Sequence, residues 1–312
     1  MNLEQPCIRI SVRNLVEFIL RHGDIDNRTG GADKEAMQQG GRIHRKIQRQ
    51  QGAEYRAEVP LKYQIACDGF ILSVEGRADG IIELPKRVVI DEIKGVFKDL
   101  KRLKEPQLLH LAQAKCYAYI YAEQKNLEEI GVQMTYCNLD TEEIRRFQEV
   151  YTRAELKKWF EELVSEYEKW ARYQMEWRAK RNASIKTVEF PFEYRDGQKK
   201  LVASVYRTIL RKKKLFIQAP TGVGKTMAAV FPAVKAVGEE LGEKIFYLTA
   251  KTITGTVAKE AFELLRTRGY QAKIIQLTAK EKLCLCEEMD CNPVHCPYAK
   301  GHYDRVNDAV YN

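Results

Sequence analysis

Residues 219–226, with the sequence APTGVGKT, combine residue types and spacing that can bind phosphate. They match the pattern A/G-x-x-x-x-G-K-[ST], in which glycines let the backbone wrap around an anion and backbone N–H groups bind its oxygens. Gly222 and Gly224 shape this turn, Lys225 is expected to reach the β- and γ-phosphates, and Thr226 is expected to hold Mg²⁺. The loop predicts a nucleoside triphosphate site.

Such a loop needs a strand before it and a helix after it, and the flanking sequence predicts both. The apolar run at 215–219 predicts a buried strand, residues 227–236 predict a helix, and residues 244–250 predict the next parallel strand. Gln198 lies upstream, and its amide offers a donor and an acceptor that match the edge of adenine. We therefore expect the nucleotide to be ATP.

A second set of chemical residues lies far from this loop. Asp79 falls in residues 74–84, which predict the end of one strand, a bend and a second strand, whereas Glu92 and Lys94 end a buried strand that begins at residue 88. Because side chains alternate along a strand, Glu92 and Lys94 share a face and Ile93 points into the core. Two carboxylates with the Ile93 carbonyl predict a Mg²⁺ or Mn²⁺ site, and the lysine can orient a water and offset phosphate charge.

Two helical signals surround this set. Residues 40–44, with the sequence GGRIH, lie on a predicted helix and offer the imidazole of His44 as an extra metal ligand. Residues 108–117 predict another helix, with Gln113 and Tyr117 on one face because they are four residues apart.

The ordered series G-x-x-x-H, Asp, E-x-K and Q-x-x-x-Y resembles the RecB-like branch of the PD-(D/E)xK nucleases. The resemblance implies an α/β nuclease fold and a metal-dependent cut in nucleic acid. It also implies a role for each residue: metal ligands His44, Asp79 and Glu92, the catalytic lysine Lys94, and nucleic-acid backbone contacts from Gln113 and Tyr117.

Four of the eight cysteines lie close together, at Cys284, Cys286, Cys291 and Cys296. The N-terminus lacks a signal-peptide layout, so metal ligation is favoured over disulfides. Zinc and a [4Fe–4S] cluster both accept four thiolates, and the spacing does not decide between them. The remaining cysteines are predicted to be small buried hydrophobes: Cys7, Cys67, Cys116 and Cys137.

A phosphate loop followed by clustered cysteines resembles the XPD-like and DinG-like superfamily 2 helicases, over about residues 190–312. The resemblance implies a [4Fe–4S] domain inserted in the first motor domain, with Cys284, Cys291 and Cys296 as ligands. Cys286 departs from the family spacing and is the weakest ligand. The resemblance also implies that Gln198 contacts adenine and that the substrate is DNA with a single-stranded part, in repair or recombination.

Composition is compatible with a soluble protein of two domains. The chain has 312 residues, of which 45% are hydrophobic and 30% charged, and no apolar run of about 18 residues predicts a membrane span. We expect a cytoplasmic location, and the net charge of +9 favours a polyanionic partner.

The predicted fold class is α/β, with a PD-(D/E)xK nuclease-like domain before a partial RecA-like motor domain that carries the cysteine insertion. The nuclease-like domain is assigned to residues 1–182, including a linker helix over 154–181. The start of the ATP-binding domain is assigned to residues 183–312, with the cluster region at 278–312.

Two motor features are missing after residue 226: an acidic motif of the DEAH type and a second motor domain. Hydrolysis needs a carboxylate that helps to hold Mg²⁺ and position water. The sequence is therefore interpreted as an N-terminal fragment that binds ATP but does not unwind DNA alone. Two alternatives remain: a non-catalytic DNA-binding clamp with a degenerate nuclease site, and a phosphate-loop ATPase with structural zinc.

Overall fold

The computed structural model describes residues 5–27, 34–220, 222–250, 252–287 and 289–311. The chain separates into two compact units, one of Met1–Arg172 with Cys286–Asn312 and the other of Tyr173–Leu285. The domain boundary between residues 182 and 183 stays a prediction. Within the described ranges, no helix is both long and apolar enough to cross a bilayer.

The first unit is built on a six-stranded mixed sheet in the order β1-β3-β4-β5-β6, with β2 paired to β3. Pairs β1–β3 and β4–β5 are parallel and the others are antiparallel. The strands are β1 Cys7–Ser11, β2 Tyr55–Cys67, β3 Phe70–Leu84, β4 Arg87–Val96, β5 Glu129–Asn138 and β6 Ile144–Thr152. This sheet confirms the predicted α/β class.

Strand β3 corrects the prediction of a bend within residues 74–84. It is one continuous strand of 15 residues. Its partner β2 pairs with it from Cys67↔Phe70 to Tyr55↔Ile82, and this long antiparallel ladder holds both halves of β3 in one strand.

Helices cover the sheet at the two places where the sequence predicted them. Helix α2, Lys34–Arg49, contains the GGRIH segment, and helix α3, Leu108–Lys125, contains the Gln113 segment and connects the parallel strands β4 and β5. Helix α3 is buried along most of its length and ends at Asn126, whose left-handed conformation (φ 53°) suits a C-cap. Helix α1, Val12–Leu20, begins at the N-cap Ser11.

Helix α4, Arg153–Thr187, confirms the predicted long helix but runs past the break expected at residues 182–187. Ser184 and Thr187 donate their hydroxyls to carbonyls three residues earlier, so these polar residues continue the helix. Ile185 is also buried in the core of the second unit, which favours the helical conformation there.

The second unit contains helices α5 Gln198–Leu210, α6 Lys225–Gly238, α7 Thr252–Thr267 and α8 Lys280–Leu283. Its core surrounds α6 and includes Val230, Val234 and Leu265. The final helix, α9 His302–Tyr311, belongs to the first unit.

The strands predicted at residues 215–219 and 244–250 are not formed, and the described part of the second unit contains no strand. Phe216 is 93% exposed and Leu248 is 88% exposed. A strand is stabilised by a paired neighbour and by burial of its apolar face. These segments have no strand partner in the described residues and are mostly exposed, although Ile245 is partly buried against the core of the second unit. The helix predicted after the phosphate loop is confirmed as α6.

Candidate functional site

The adjacent strands β3 and β4 bring together the acidic residues predicted to hold metal. The two strands are antiparallel with Gly80 opposite Asp91, so Asp79 lies beside Glu92 and Ile93. Asp79 Oδ2 accepts a hydrogen bond from the Ile93 backbone N–H at 2.8 Å. The Ile93 side chain is buried against helix α2, as strand alternation predicted.

Lys94 joins strand β4 to helix α3. Its Nζ donates to Glu92 Oε1 at 2.8 Å and to Gln113 Oε1 at 2.9 Å. Glu92 is buried, and this burial raises its pKa although the Lys94 ammonium opposes the shift. The lysine therefore has a fixed position beside a buried carboxyl group.

The other oxygen of Glu92 is the feature that points to a cation. Oε2 is buried and has no hydrogen-bond partner among the described residues. A buried carboxylate oxygen without a partner is costly unless something else compensates it. Carboxylate oxygens are ligands that Mg²⁺ and Mn²⁺ prefer, so the residues present fit a divalent metal.

His44 reaches the same site from helix α2. Its Nδ1 lies 3.4 Å from Asp79 Oδ1. Burial disfavours the imidazolium, but the hydrogen bond and charge of Asp79 outweigh it, so the pKa of His44 is raised. As they stand, no three His, Cys, Asp or Glu side chains in the described ranges are arranged to hold a metal ion. Asp79 and Glu92 each give one oxygen to a protein donor instead.

Tyr117 and Gln113 occupy one face of α3, as their spacing predicted, and both are buried. The Tyr117 ring lies against Gly76, where a Cβ would stand 2.7 Å from the ring. Glycine at position 76 therefore makes room for this tyrosine. Gln113 uses its side-chain oxygen to hold Lys94, so its position serves the lysine directly.

The phosphate loop in the second unit has the backbone that its glycines predicted. Gly222 and Gly224 both have positive φ, at 87° and 73°, and α6 begins immediately afterwards at Lys225. Lys225 Nζ donates to the carbonyls of Ala219 and Pro220 at 2.8 and 2.7 Å. The Lys225 ammonium is thus bound by backbone carbonyls of its own loop. Thr226 lies in the first turn of α6, and Thr221 is outside the described residues.

Gln198 packs directly on this loop. Its Nε2 donates to the Val223 carbonyl at 3.0 Å, and its Oε1 accepts the Arg195 backbone N–H at 3.1 Å. A Cβ at Gly224 would stand 2.5 Å from Gln198 Nε2, so this contact also requires glycine. The adenine contact assigned to Gln198 stays a prediction.

The four clustered cysteines divide between the two units. Cys286, Cys291 and Cys296 share a small apolar cluster with Ala299 and Ile25 in the first unit. The Ala299 backbone N–H, with smaller help from Cys286, lowers the pKa of the Cys296 thiol. Cys284 lies in the second unit. As they stand, no three of these side chains in the described ranges are arranged to hold a metal ion.

None of the cysteines in the described residues forms a disulfide. The prediction of buried hydrophobes is confirmed for Cys116 and Cys137, whereas Cys67 is half-buried. The same prediction is wrong for Cys7, which is exposed, because it lies at the start of the short strand β1.

Comparison with protein families supports both halves of this description. A family model described as the PD-(D/E)XK nuclease superfamily matches residues 14–184, more than half of the chain. The chain belongs to the PD-(D/E)XK nuclease superfamily. A second model, described as DEAD/DEAH box helicase, matches residues 197–287. A nuclease domain is therefore followed by a helicase domain.

Two individual proteins were also similar. The probable ATP-dependent helicase MJ0942 of Methanocaldococcus jannaschii is 30% identical over 121 residues, which are 38% of this chain and 18% of the relative. The match thus spans about a fifth of that relative's length. The crystal structure of SSO0001 aligns with 53% of this chain and 78% of its own, at 19% identity and a TM-score of 0.33.

Two residues near the nuclease site were missed by sequence reasoning. His110 lies one turn before Gln113 on α3, and its Nδ1 is 3.2 Å from the hydroxyl of Tyr136. Tyr136 is the register partner of Lys94 in β5. Burial, and then the charge of Lys94, lower the pKa of His110 to about 4. The spacing of three residues between His110 and Gln113 was the available signal.

Asp91, the neighbour of Glu92, was also missed. It is buried and accepts hydrogen bonds from Thr135 at 2.6 Å, Gln133 at 2.9 Å and Tyr55 at 3.1 Å. A buried carboxyl group with several donors is a structural element that cross-links strands. Asp91 therefore supports β4 from the face opposite Glu92.

Proposed function

We propose that this protein is a metal-dependent DNA nuclease coupled to an ATP-binding helicase domain, and that it acts on DNA with a single-stranded part. One observation carries the nuclease proposal. Lys94 Nζ is fixed between Glu92 Oε1 and Gln113 Oε1, while Glu92 Oε2 is buried without a partner among the described residues. A phosphodiester-cleaving site needs a positively charged side chain in a fixed position and, beside it, a carboxylate oxygen that can bind a metal ion. Lys94 and Glu92 Oε2 are these two groups.

His44, Asp79 and Glu92 are the residues that would hold Mg²⁺ or Mn²⁺. Such an ion, when bound, supplies a Lewis acid for the phosphate and lowers the pKa of a water. Lys94 orients the attacking water and offsets negative charge on the phosphate. Gln113 keeps the Lys94 ammonium in place through its 2.9 Å hydrogen bond, and Tyr117 fills the space over Gly76 beneath the site.

ATP is the proposed ligand of the helicase domain. Lys225 now binds the carbonyls of Ala219 and Pro220, and it would exchange them for the β- and γ-phosphates. The Gly222 and Gly224 conformations expose backbone N–H groups at the start of α6. Thr226 would hold the Mg²⁺ of the nucleotide.

Cleavage of labelled single-stranded DNA with Mg²⁺ or Mn²⁺ tests the nuclease proposal. Glu92→Ala should abolish cleavage while circular dichroism shows an intact fold. Glu105→Ala, at an exposed carboxylate, is the matched control and should cut normally. Normal cutting by Glu92→Ala would remove the assigned site. A wild-type protein that binds DNA but does not cut it with any divalent metal would favour the clamp function.

The finer assignment to an XPD/DinG-like helicase of repair or recombination with a [4Fe–4S] cluster belongs to the same proposal. It is supported by the order of the phosphate loop and the cysteines in the sequence. The thiols among the described residues do not form a metal centre and add no support to it. A [4Fe–4S] cluster absorbs visible light, whereas zinc is colourless. Protein prepared without oxygen should therefore be brown and contain iron and acid-labile sulfide.

Substitution of single cysteines makes this test specific. Cys291→Ser and Cys296→Ser should bleach the protein, and Cys137→Ser, at a buried cysteine elsewhere, should not. Full colour in Cys286→Ser would place the fourth ligand at another residue. Colourless anaerobic protein with one zinc per chain would contradict the XPD/DinG assignment.

A further inference from the structure

Gln48 lies one helical turn after His44 on helix α2, so the two side chains share a face of that helix. Its side-chain amide has two N–H groups to donate. Nε2 donates to the backbone carbonyl of Asp79 at 2.9 Å and to Glu58 Oε1 at 3.0 Å. Gln48 therefore connects helix α2 to strand β3 at the position of Asp79.

The Asp79 carbonyl is open to this contact because the ladder between β2 and β3 is interrupted there. Glu58 of β2 and Asp79 of β3 are left out between two flanking pairs, Ala57↔Gly80 and Val59↔Ala78. Glu58 has a left-handed backbone conformation (φ 56°), which residues other than glycine rarely adopt within a strand. Gln48 thus supplies a hydrogen-bond donor at a point where the ladder does not.

The conformation of Glu58 costs free energy and has to be held by its surroundings. Two side chains contact the Glu58 carboxylate: Gln48 at 3.0 Å and Arg77, whose Nε lies 2.7 Å from Oε2. The pair with Arg77 is solvent-exposed and contributes little by itself. The bond from Gln48 to the Asp79 carbonyl is half-buried, so it is the better protected of the contacts at this interruption.

Asp79 is therefore bound at three of its oxygen atoms. The Ile93 N–H donates to Oδ2 at 2.8 Å, and His44 Nδ1 lies 3.4 Å from Oδ1. Gln48 binds the backbone carbonyl. Because His44 and Gln48 belong to the same helix, α2 is attached to Asp79 at two points.

The apolar contacts of α2 do not supply the same constraint. Ile43 and Ile47 pack with Ile93 and Cys137 in the core. Apolar packing is non-directional, whereas a hydrogen bond depends on the distance and angle between its atoms. The two bonds of Gln48 are therefore directional contacts that set how α2 lies on β3.

We propose that Gln48 is a positioning residue of the nuclease site, which holds Asp79 and His44 in the geometry at which both bind one divalent metal ion. Gln48 acts through these two residues. Without its donors, the Asp79 carbonyl loses its partner and α2 shifts more freely on β3. Part of the free energy of metal binding is then spent on restoring the geometry. The inference rests on the proposed metal site, and its first test needs no cleavage.

Titration of the full chain with Mn²⁺, followed by electron paramagnetic resonance without ATP, measures the metal affinity. Gln48→Met keeps the length of the side chain but removes both donors, so Mn²⁺ should bind about tenfold more weakly. Glu92→Ala gives the amount of Mn²⁺ that binds elsewhere. Gln39→Met, at an exposed glutamine of the same helix, is the matched control and should bind Mn²⁺ as the wild type does.

Cleavage of single-stranded DNA then separates positioning of the metal from a role in the fold or the chemistry. Gln48→Met should cut slowly at low Mn²⁺ and regain the wild-type rate at saturating Mn²⁺, because only metal binding is weakened. Glu92→Ala should stay inactive at every Mn²⁺ concentration. A Gln48→Met protein that stays slow at saturating Mn²⁺ would overturn the inference.

The metal titration also separates this inference from the proposed function. Equal Mn²⁺ affinity in Gln48→Met and the wild type would overturn the role of Gln48 and leave the nuclease function standing. Weaker binding by Gln48→Met, together with a wild-type protein that cuts no DNA, would support the role of Gln48 and overturn the nuclease function. A wild-type protein that binds no more Mn²⁺ than Glu92→Ala would overturn the metal site and this inference together.

Discussion

The two units treat similar apolar sequences in opposite ways. In the nuclease domain, the run Val88-Val89-Ile90 lies in β4, which pairs with β3 and β5 and leads directly to Glu92 and Lys94. In the helicase domain, the run at residues 215–217 leads to the phosphate loop but is unpaired in the described residues and largely exposed. The residues of the candidate nuclease site are therefore positioned by pairing between strands, whereas the phosphate loop is held by hydrogen bonds from the side chains of Gln198 and Lys225.

Substitution of one phenylalanine in each unit should show this contrast as the largest effect. Phe70 is fully buried at the start of β3, so Phe70→Ala should lower the free energy of unfolding by about 3–5 kcal/mol. Phe216 is 93% exposed, so Phe216→Ala should change it by less than about 0.5 kcal/mol. Urea denaturation followed by fluorescence measures both. A loss above about 2 kcal/mol in Phe216→Ala would show that this segment is packed in solution.

Lys225→Ala should have the next-largest effect, and it should change ATP binding without changing DNA cleavage. Loss of a charge-assisted phosphate contact should weaken ATP binding by about 1.5–3 kcal/mol, or about ten- to a hundredfold. Cleavage of DNA should persist, because the residues proposed to hold the metal belong to the other unit. Calorimetric titration with ATP measures the affinity. Equal ATP affinity in the variant and the wild type would contradict the phosphate-loop assignment.

A dependence of stability on acid pH is expected from His110. Its pKa is lowered from 6.5 to about 4, first by burial and then by Lys94. The unfolded chain therefore binds a proton that the folded chain does not, and stability falls as the pH falls from 6.5 towards 4. His110→Asn should flatten this part of the stability curve, measured by urea denaturation at several pH values. His22→Asn, at an exposed histidine, is the control, and equal slopes in His110→Asn and the wild type would contradict the account.

The arrangement of Glu92, Ile93 and Lys94 could be predicted from the sequence because its signals are local. The alternation of Glu92, Ile93 and Lys94 along one strand fixes which side chains share a face, and the structure confirms it with the 2.8 Å bond between Lys94 and Glu92. The spacing of Gln113 and Tyr117 likewise fixes a helix face. Such periodicities follow from backbone geometry alone.

Other features depend on partners far away in the sequence. The continuity of β3 follows from its ladder with β2, and no pattern within residues 74–84 contains that information. Residues 23–27 contact residues 291–303 through backbone groups, whose donors and acceptors are the same in every sequence. The unpaired runs at 215–219 and 244–250 have strand-like composition, and only pairing decides whether such runs become strands.

The central claim is that Lys94, held by Glu92 and Gln113, drives cleavage in a site that is assembled independently of ATP. The most direct measurement is the single-turnover rate of single-stranded DNA cleavage with Mn²⁺ and without ATP, for Lys94→Ala against Lys98→Ala. Lys98 is an exposed lysine just beyond the same strand. We predict a rate about a hundredfold or more below wild type for Lys94→Ala, with Mn²⁺ still bound, and a nearly normal rate for Lys98→Ala. Equal rates in the two variants would contradict the account.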